Sequence, residues 1–167
     1  TALDRPNSYI GRSVPRPNLA RLMQGRAQFV SDVTLPRMAH VAFVRSPHAH
    51  ADIKKIDTAA AAKATGVIAF VTGPELAKVM TPWVGVLTHL KGIKSAPQFP
   101  LAVGRARWQG EAVVAVIARS RAQAEDACEL VEIEYAELQP VTDAETALDP
   151  KTPIIHPELG DNLCFER

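Results

Sequence analysis

Val44-Arg-Ser-Pro-His-Ala-His-Ala-Asp-Ile-Lys-Lys-Ile-Asp57, an alanine run, and then Gly66-Val-Ile-Ala-Phe-Val-Thr-Gly73 form the stretch whose reading decides the fold. His48, His50 and Asp52 recur with period two. On an extended strand they would share one face, where two imidazoles and a carboxylate suit a metal ion. The H-x-H-x-D run is used by binuclear zinc hydrolases, whose remaining ligands arrive from downstream. Here the other imidazoles are His40, His89 and His156, and none sits in a second recognisable motif. The competing reading makes Ser46-Pro47 a turn, with both histidines hydrogen-bonded to backbone or partner groups.

Outward from this stretch, Met38–Arg45 reads as a strand with Val41 and Phe43 in an alternating pattern. Ala51–Ile56 reads as a second strand, bulged at Lys54-Lys55 where the period breaks. Thr58–Ala64 is expected to be an alanine-rich helix capped by Asp57 or Thr58 and stopped by Gly66. Val67–Val71 is a short buried strand, and Thr72-x-x-Glu75 is a capping box opening a short helix with Pro74 in its first turn. Thr81 to Gln109 shows no sustained period and reads as a long functional or partner-packed loop.

Ala112–Ala118 (AVVAVIA) is apolar on both faces and belongs at the centre of a sheet. Ser120-x-x-Gln123 caps a helix whose Ala124, Ala127, Cys128 and Val131 fall at i, i+3, i+4 and i+7. Val131, Ile133 and Tyr135 alternate with Glu132 and Glu134 as a half-buried strand. Thr142-x-x-Glu145 opens a last short helix ended by Asp149-Pro150. Strands and helices mix without a β-α-β repeat, so the class is α+β. The divisions are an extended arm over 1–37, broken by Pro6, Pro15, Pro17 and Pro36 with a helical turn only at Leu19–Gln24; a domain over 38–149; and an irregular tail over 150–167.

Composition limits the functions. The chain has 167 residues, 47% hydrophobic and 22% charged, enough to build a core. Aromatics are only 5%, so that core leans on Val, Ile, Leu and Ala. Cys128 and Cys164 form no C-x-x-C pair, which argues against an iron–sulfur or structural zinc site and fits a reducing, cytoplasmic setting. Ala112–Ala118, seven residues, is the longest clean apolar run, far below the ~20 needed to span a membrane. No signal peptide opens the chain, and a first residue of Thr suggests processing, trimming or cutting from something longer. Residues 1–37 carry six Arg against two Asp, whereas residues 108–167 carry four basic residues against thirteen acidic ones. An acidic half of that size repels phosphate, and the basic arm lacks stacking aromatics, so nucleic acid is not an expected partner.

No G-x-S-x-G elbow, P-loop or G-x-G-x-x-G occurs. Gly104 and Gly110 precede a strand and do not join a strand to a helix, which disfavours phosphate binding. Cys128 lies on the apolar stripe of its helix, Cys164 has no evident activating base, and Glu125, Asp126 and Glu129 form a solvated face. By its own residues the chain carries no active site.

The order of segments resembles a known module. Ile10-Gly-Arg-Ser-x-x-Arg16, Arg26-x-x-Phe29-Val-x-Asp32-x-x-Leu-Pro36, Phe43-Val-Arg-Ser-Pro-His-Ala-His50, Ile56-Asp57, Gly66-Val67 and Thr72-Gly73 follow one another. Arg107-Trp-Gln-Gly-Glu111-x-Val-x-x-Val116, Ala122-x-Ala-Glu-Asp-Ala127, Val131-x-Ile-x-Tyr135 and Pro140-Val141 continue the pattern. This is similar to the N-terminal α/β hammerhead domain of the molybdopterin-binding large subunit of molybdenum hydroxylases: xanthine dehydrogenase, aldehyde oxidase and aerobic carbon monoxide dehydrogenase. Residues 10–16 look closest to the carbon monoxide dehydrogenase-like branch.

The resemblance implies an α/β hammerhead with a mixed sheet, short helices and an extended arm. It also implies an oxidoreductase complex acting on a small substrate, with electrons passing through two [2Fe–2S] clusters to FAD from molybdenum held by molybdopterin cytosine dinucleotide. The implied partners are the molybdopterin-binding remainder of the large subunit, an FAD-binding medium subunit and an iron–sulfur small subunit, in a dimer of heterotrimers. The family's cofactor contacts and glutamate base lie in later segments, so no catalytic, cofactor or metal residue carries over, and Glu111 is not the base. The chain's own role is then scaffolding, with Arg45, His48, His50, Arg107, Trp108, Gln109, Gly110 and Glu111 as interface candidates. Replacing His48 and His50 together is expected to weaken assembly with no metal leaving this chain. The short length implies a split subunit, a nicked product or a fragment, and Glu166-Arg167 suits a trypsin-like cut. A non-catalytic module that reuses the fold without molybdenum, and a zinc hydrolase built on His48, His50 and Asp52, are the alternative readings.

Overall fold

The computed structural model describes residues 9–85, 87 and 89–166; Pro6 and Arg167, which entered the sequence reading, lie outside them. The chain divides into two units, one up to Met38 and one from Ala39. In the first, helix α1 spans Leu19–Met23 and a 3-10 turn covers Val30–Asp32. The Asp32 carboxylate accepts the Phe29 N–H at 2.9 Å, which gives the Phe29-Val-x-Asp32 spacing a local cause.

In the second unit the described strands are β1 (His40–Arg45), β2 (Ala51–Asp57), β3 (Val67–Thr72), β4 (Arg105–Ala106), β5 (Ala112–Ala118) and β6 (Glu132–Glu137). Helices α2 (Gly73–Leu76) and α3 (Arg121–Cys128) complete the regular structure. The strands form two three-stranded sheets, ordered β1-β5-β3 and β4-β2-β6. Every pairing among them is antiparallel, so the α+β class stands while the expected mixed sheet is two antiparallel ones.

β5 is the centre of the first sheet because its side chains are apolar in both directions. Val113, Val114 and Val116 are fully buried, and burial of each contributes about 1.5–3 kcal/mol. One face of the sheet carries Val44, Val114, Val116 and Phe70, which pack with Ala127 of α3 and with Ile53, Ile56 and Ile133 of the second sheet. Register places Val41 opposite Ile117, and Phe43 opposite Ala115, on the other face. There Val41 and Phe43 remain 50% and 45% exposed.

The Ser120 hydroxyl accepts the Gln123 N–H at 3.3 Å and starts α3 where expected. Glu75 Oε2 accepts both the backbone N–H and the hydroxyl of Thr72, each at 2.8 Å, which is one arm of the anticipated capping box. The register of β2 against β6 shifts between Ile53 and Lys55, at the predicted bulge.

Three expectations are corrected. Thr58–Ala64 is not a helix: only Ala61–Lys63 makes a 3-10 turn. The Asp57 carboxylate accepts the Ala59 N–H at 3.0 Å in a tight local turn, and the chain then bends to bury Ala61 completely. Burial outweighs helix propensity over so few residues. Residues 142–149 form turns, because the Asp143 carboxylate takes the Glu145 N–H at 2.9 Å and the Thr146 hydroxyl at 3.0 Å. β3 is an edge strand with Ile68 exposed, not a buried one. The long stretch from Thr81 is also partly ordered, through an antiparallel bridge between Trp83 and Gln98 and through β4.

Candidate functional site

The two motifs that sequence reading singled out separately, Arg45–His50 and Arg107–Glu111, meet at one end of β5. The β1–β5 register slips between Val44 and Arg45, which turns the chain away from the sheet there. The Ser46 N–H donates to Glu111 O at 2.9 Å, and Ser46 O accepts the Gly110 N–H at 2.8 Å. Gly110 has φ +85°, a conformation that side chains resist. Its carbonyl accepts Arg45 Nη1 at 2.8 Å, so Gly110 is held through both its N–H and its carbonyl by residues 64 and 65 positions away.

Each loop is also closed on itself. The Ser46 hydroxyl donates to His48 O at 2.9 Å and accepts the His48 N–H at 3.1 Å. Glu111 Oε2 accepts the Arg107 N–H at 2.6 Å. Glu111 is only 6% exposed, and burial pushes its carboxyl above the ordinary carboxylate range despite the Arg107 and Trp108 N–H groups. Its carboxylate braces its own turn.

His48 and His50 lie in the bend before β2, not on a strand, and this removes the geometric premise of the H-x-H-x-D reading. The His48 ring meets Tyr135 edge-on, with centroids 5.0 Å apart, and its Nδ1 lies 3.5 Å from Glu137 Oε1. His50 is 4% exposed and its Nδ1 donates to Gln139 O at 2.8 Å. Asp52 is taken by Arg105 Nε at 2.7 Å and by Lys54 at 3.2 Å, and the Arg105 hydrogen bond holds its carboxyl below the usual range. Among the described residues no three His, Cys, Asp or Glu side chains converge on a metal position. Cys128 is half-buried on α3, where burial raises its thiol pKa; Cys164 Sγ lies 3.2 Å from Lys94 O in the tail. Among the described residues neither cysteine belongs to a group of three His, Cys, Asp or Glu side chains that could hold a metal ion.

Burial also separates the interface candidates. His50 and Glu111 are internal supports, whereas Arg45, Trp108 and Gln109 face outward and His48 and Arg107 are half-buried. Trp108 is 48% exposed, and the Arg45 guanidinium stands 5.7 Å from the centre of the exposed Phe43 ring. Val41 and Phe43 are thus apolar side chains exposed on the outer face of β1, with the Arg45 cation beside Phe43. Sequence reasoning missed Arg105 and Gln139, whose parts depend on long-range strand pairing. Tyr135, whose buried hydroxyl lacks a hydrogen-bond partner among the described residues, was visible as part of an alternating strand and of the Val131-x-Ile-x-Tyr135 motif, with no role assigned to it.

The family described as "Aldehyde oxidase and xanthine dehydrogenase, a/b hammerhead domain" matches residues 24–139. The chain is 36% identical to the nicotine 6-hydroxylase large subunit of Paenarthrobacter nicotinovorans, over 96% of the chain and 20% of that protein. It is 33% identical to the carbon monoxide dehydrogenase large chain of Afipia carboxidovorans, over 98% of the chain and 20% of that protein. The solved quinoline 2-oxidoreductase of Pseudomonas putida 86 superposes with a TM-score of 0.83 at 39% identity, covering 92% of this chain and 19% of that one. The chain thus spans about a fifth of the length of these relatives. A match over most of its length, on the same strands that bring Arg45–His50 to Arg107–Glu111, establishes that the chain belongs to the aldehyde oxidase and xanthine dehydrogenase family and carries its α/β hammerhead domain.

Proposed function

We propose that this chain is the scaffolding domain of a molybdenum hydroxylase large subunit, and that catalysis on a small substrate belongs to polypeptide outside it. The observation that carries this reading is the exposed apolar surface of Val41 and Phe43 edged by Arg45, with Trp108 also exposed, on a frame braced by the Arg45–Gly110 and Arg107–Glu111 hydrogen bonds. Such a surface suits burial against another part of a larger enzyme. Molybdenum on molybdopterin cytosine dinucleotide, two [2Fe–2S] clusters and FAD would be held by the large-subunit remainder, the small subunit and the medium subunit respectively. That its relatives include a hydroxylase and a dehydrogenase supports oxidoreductase chemistry, and two free cysteines suit a cytoplasmic setting.

Native mass spectrometry with metal analysis of the protein from its own source tests this. The expected result is the hammerhead sequence within a particle containing molybdenum, iron and flavin. Trp108→Ala should loosen that particle about tenfold, since truncation of an exposed aromatic anchor at an interface centre commonly costs over 1 kcal/mol. A hammerhead chain that occurs alone in the source, with no molybdenum-bearing partner, would overturn the proposal.

A further inference from the structure

We infer that residues 9–38 form a docking arm whose seat is a carboxylate-lined apolar surface on large-subunit polypeptide outside this chain, an inference that rests on the scaffolding role proposed above. Among residues 9–38 none is buried. Met23 is 80% and Val30 91% exposed, and Tyr9, Ile10, Leu19 and Phe29 are exposed as well. Two turns of the arm nevertheless have fixed shapes. Helix α1 closes through Gly25, at φ +67°, whose N–H donates to Leu22 O at 3.1 Å, while the Arg26 N–H donates to Arg21 O at 3.0 Å. Leu19 and Met23, four residues apart on α1, therefore share one exposed face. Phe29 and Val30 stand at the 3-10 turn that the Asp32 carboxylate braces. Ordered turns without a core can shield these apolar side chains from water only against another surface.

Charge and length point to the occupant. The arm carries Arg12, Arg16, Arg21, Arg26 and Arg37 but no lysine, whereas all seven lysines of the chain lie after residue 53. Solubility alone would be served by either cation. A guanidinium fork instead matches a carboxylate through two parallel hydrogen bonds, and it sheds water more readily than an ammonium. The one acidic group of the arm, Asp32, already accepts from the Phe29 N–H, so the carboxylates must come from the partner. Along the arm the arginines alternate with the exposed apolar side chains, and a complementary seat alternates likewise. A membrane surface is disfavoured. Helix α1 has five residues, and Pro15, Pro17 and Pro36 interrupt the remainder, which leaves no continuous apolar helix face. The chain covers 20% of the relatives' length. In those relatives the remaining polypeptide is joined to this region, and a joined surface has the highest effective concentration of any partner.

The test uses the enzyme particle from its source, with the photoreactive residue p-benzoylphenylalanine placed at Met23. Irradiation followed by mass spectrometry identifies what the arm touches. The expected adduct joins the arm to large-subunit polypeptide outside residues 1–167, at a peptide containing Asp or Glu. An adduct to residues 39–167, to a second copy of this chain, to an iron–sulfur or flavin subunit or to lipid overturns the inference, as does the absence of any adduct. Those results leave the scaffolding role intact, whereas a source protein without a molybdenum-bearing partner removes both. The carboxylates are tested by combining Arg21→Glu with Arg26→Glu, which should lower the adduct yield about tenfold. Arg21→Lys with Arg26→Lys keeps the charge but loses the fork, and should lower the yield less. Both positions are exposed, so the local fold tolerates either pair. Equal yields from the parent and the glutamate variant refute a carboxylate-lined seat.

Discussion

Replacing Gly73 by alanine probes the packing that sets the height of the Arg107–Glu111 turn. Gly73 has no positive φ; what it provides is room. A Cβ built there would stand 2.7 Å from Ala102 C and 3.1 Å from Leu101 O, and would penetrate Ala102 O. Ordinary contact begins at 3.4 Å, so the Ala102 peptide must retreat by at least about 0.7 Å. It cannot do so freely, because the Ala102 N–H donates to Ala112 O at 2.8 Å, one residue beyond Glu111. Both Gly73 and Ala102 are buried, so neither can swing into solvent. Overpacking of this kind costs about 1–3 kcal/mol, and with backbone on both sides the upper end is expected. Gly66→Ala serves as the comparison. Its new Cβ meets the side chain of Gln123, which can rotate away, and only the φ of +83° is penalised, at about 1–2 kcal/mol. Urea unfolding of both variants followed by far-ultraviolet circular dichroism should show Gly73→Ala with the larger fall in midpoint at unchanged slope. A Gly73→Ala midpoint equal to the parent's, or a smaller fall than that of Gly66→Ala, would refute the packing argument.

Ser46→Ala removes the hydroxyl that both accepts and donates across the His48 peptide, inside a buried turn. Its loss should lower stability by about 1–3 kcal/mol in chemical unfolding, and a change below about 0.5 kcal/mol would show the turn holds without it. Glu111 gives a pH signature. Its folded carboxyl pKa lies above the ordinary 4.5, so its contribution is fully present below 4.5 and is lost as pH rises through the raised value. The carboxylates held low, Asp52, Asp57 and Asp161, act in the opposite sense and lose stability as pH falls through their depressed values. They are common to parent and Glu111→Gln, so the stability of the parent minus that of the variant should rise as pH is lowered from 7 towards 4.5. A difference that stays flat or falls over that window, measured by urea midpoints, would contradict a raised Glu111.

What was legible in the sequence was local or strictly periodic. AVVAVIA has no polar face to present to solvent, so a central position was the only inexpensive one for β5. The Thr72/Glu75 and Ser120/Gln123 spacings are closed by hydrogen bonds three residues apart, and they form as read. The Lys54-Lys55 break in period is a real slip in register. Two of the failures share one cause. The alanine run at 58–64 and the segment at 142–149 have helical propensity but too little length to nucleate, and short carboxylate turns at Asp57 and Asp143 win locally. At the site, the residue types at Arg45–His50 and Arg107–Glu111 were legible. Their clasp was not, because it depends on β1 and β5 pairing across most of the domain. Exposure was equally hidden: nothing in Ser-Pro-His-Ala-His tells that His50 points inward at Gln139 while His48 reaches Tyr135.

The central place of β5 also dictates the order of events as the chain is made. β1 and β3 flank it and are synthesised first, yet neither pairs with the other in the finished sheet. Until Ala112–Ala118 arrives, both strands carry unsatisfied edges and apolar side chains, a state prone to self-association. Closing loops of this length is slow beside local turn formation. Emergence of β5 is therefore the step that commits the first sheet to its native order, and truncations that stop before it should yield insoluble chains where those that run on through β6 fold.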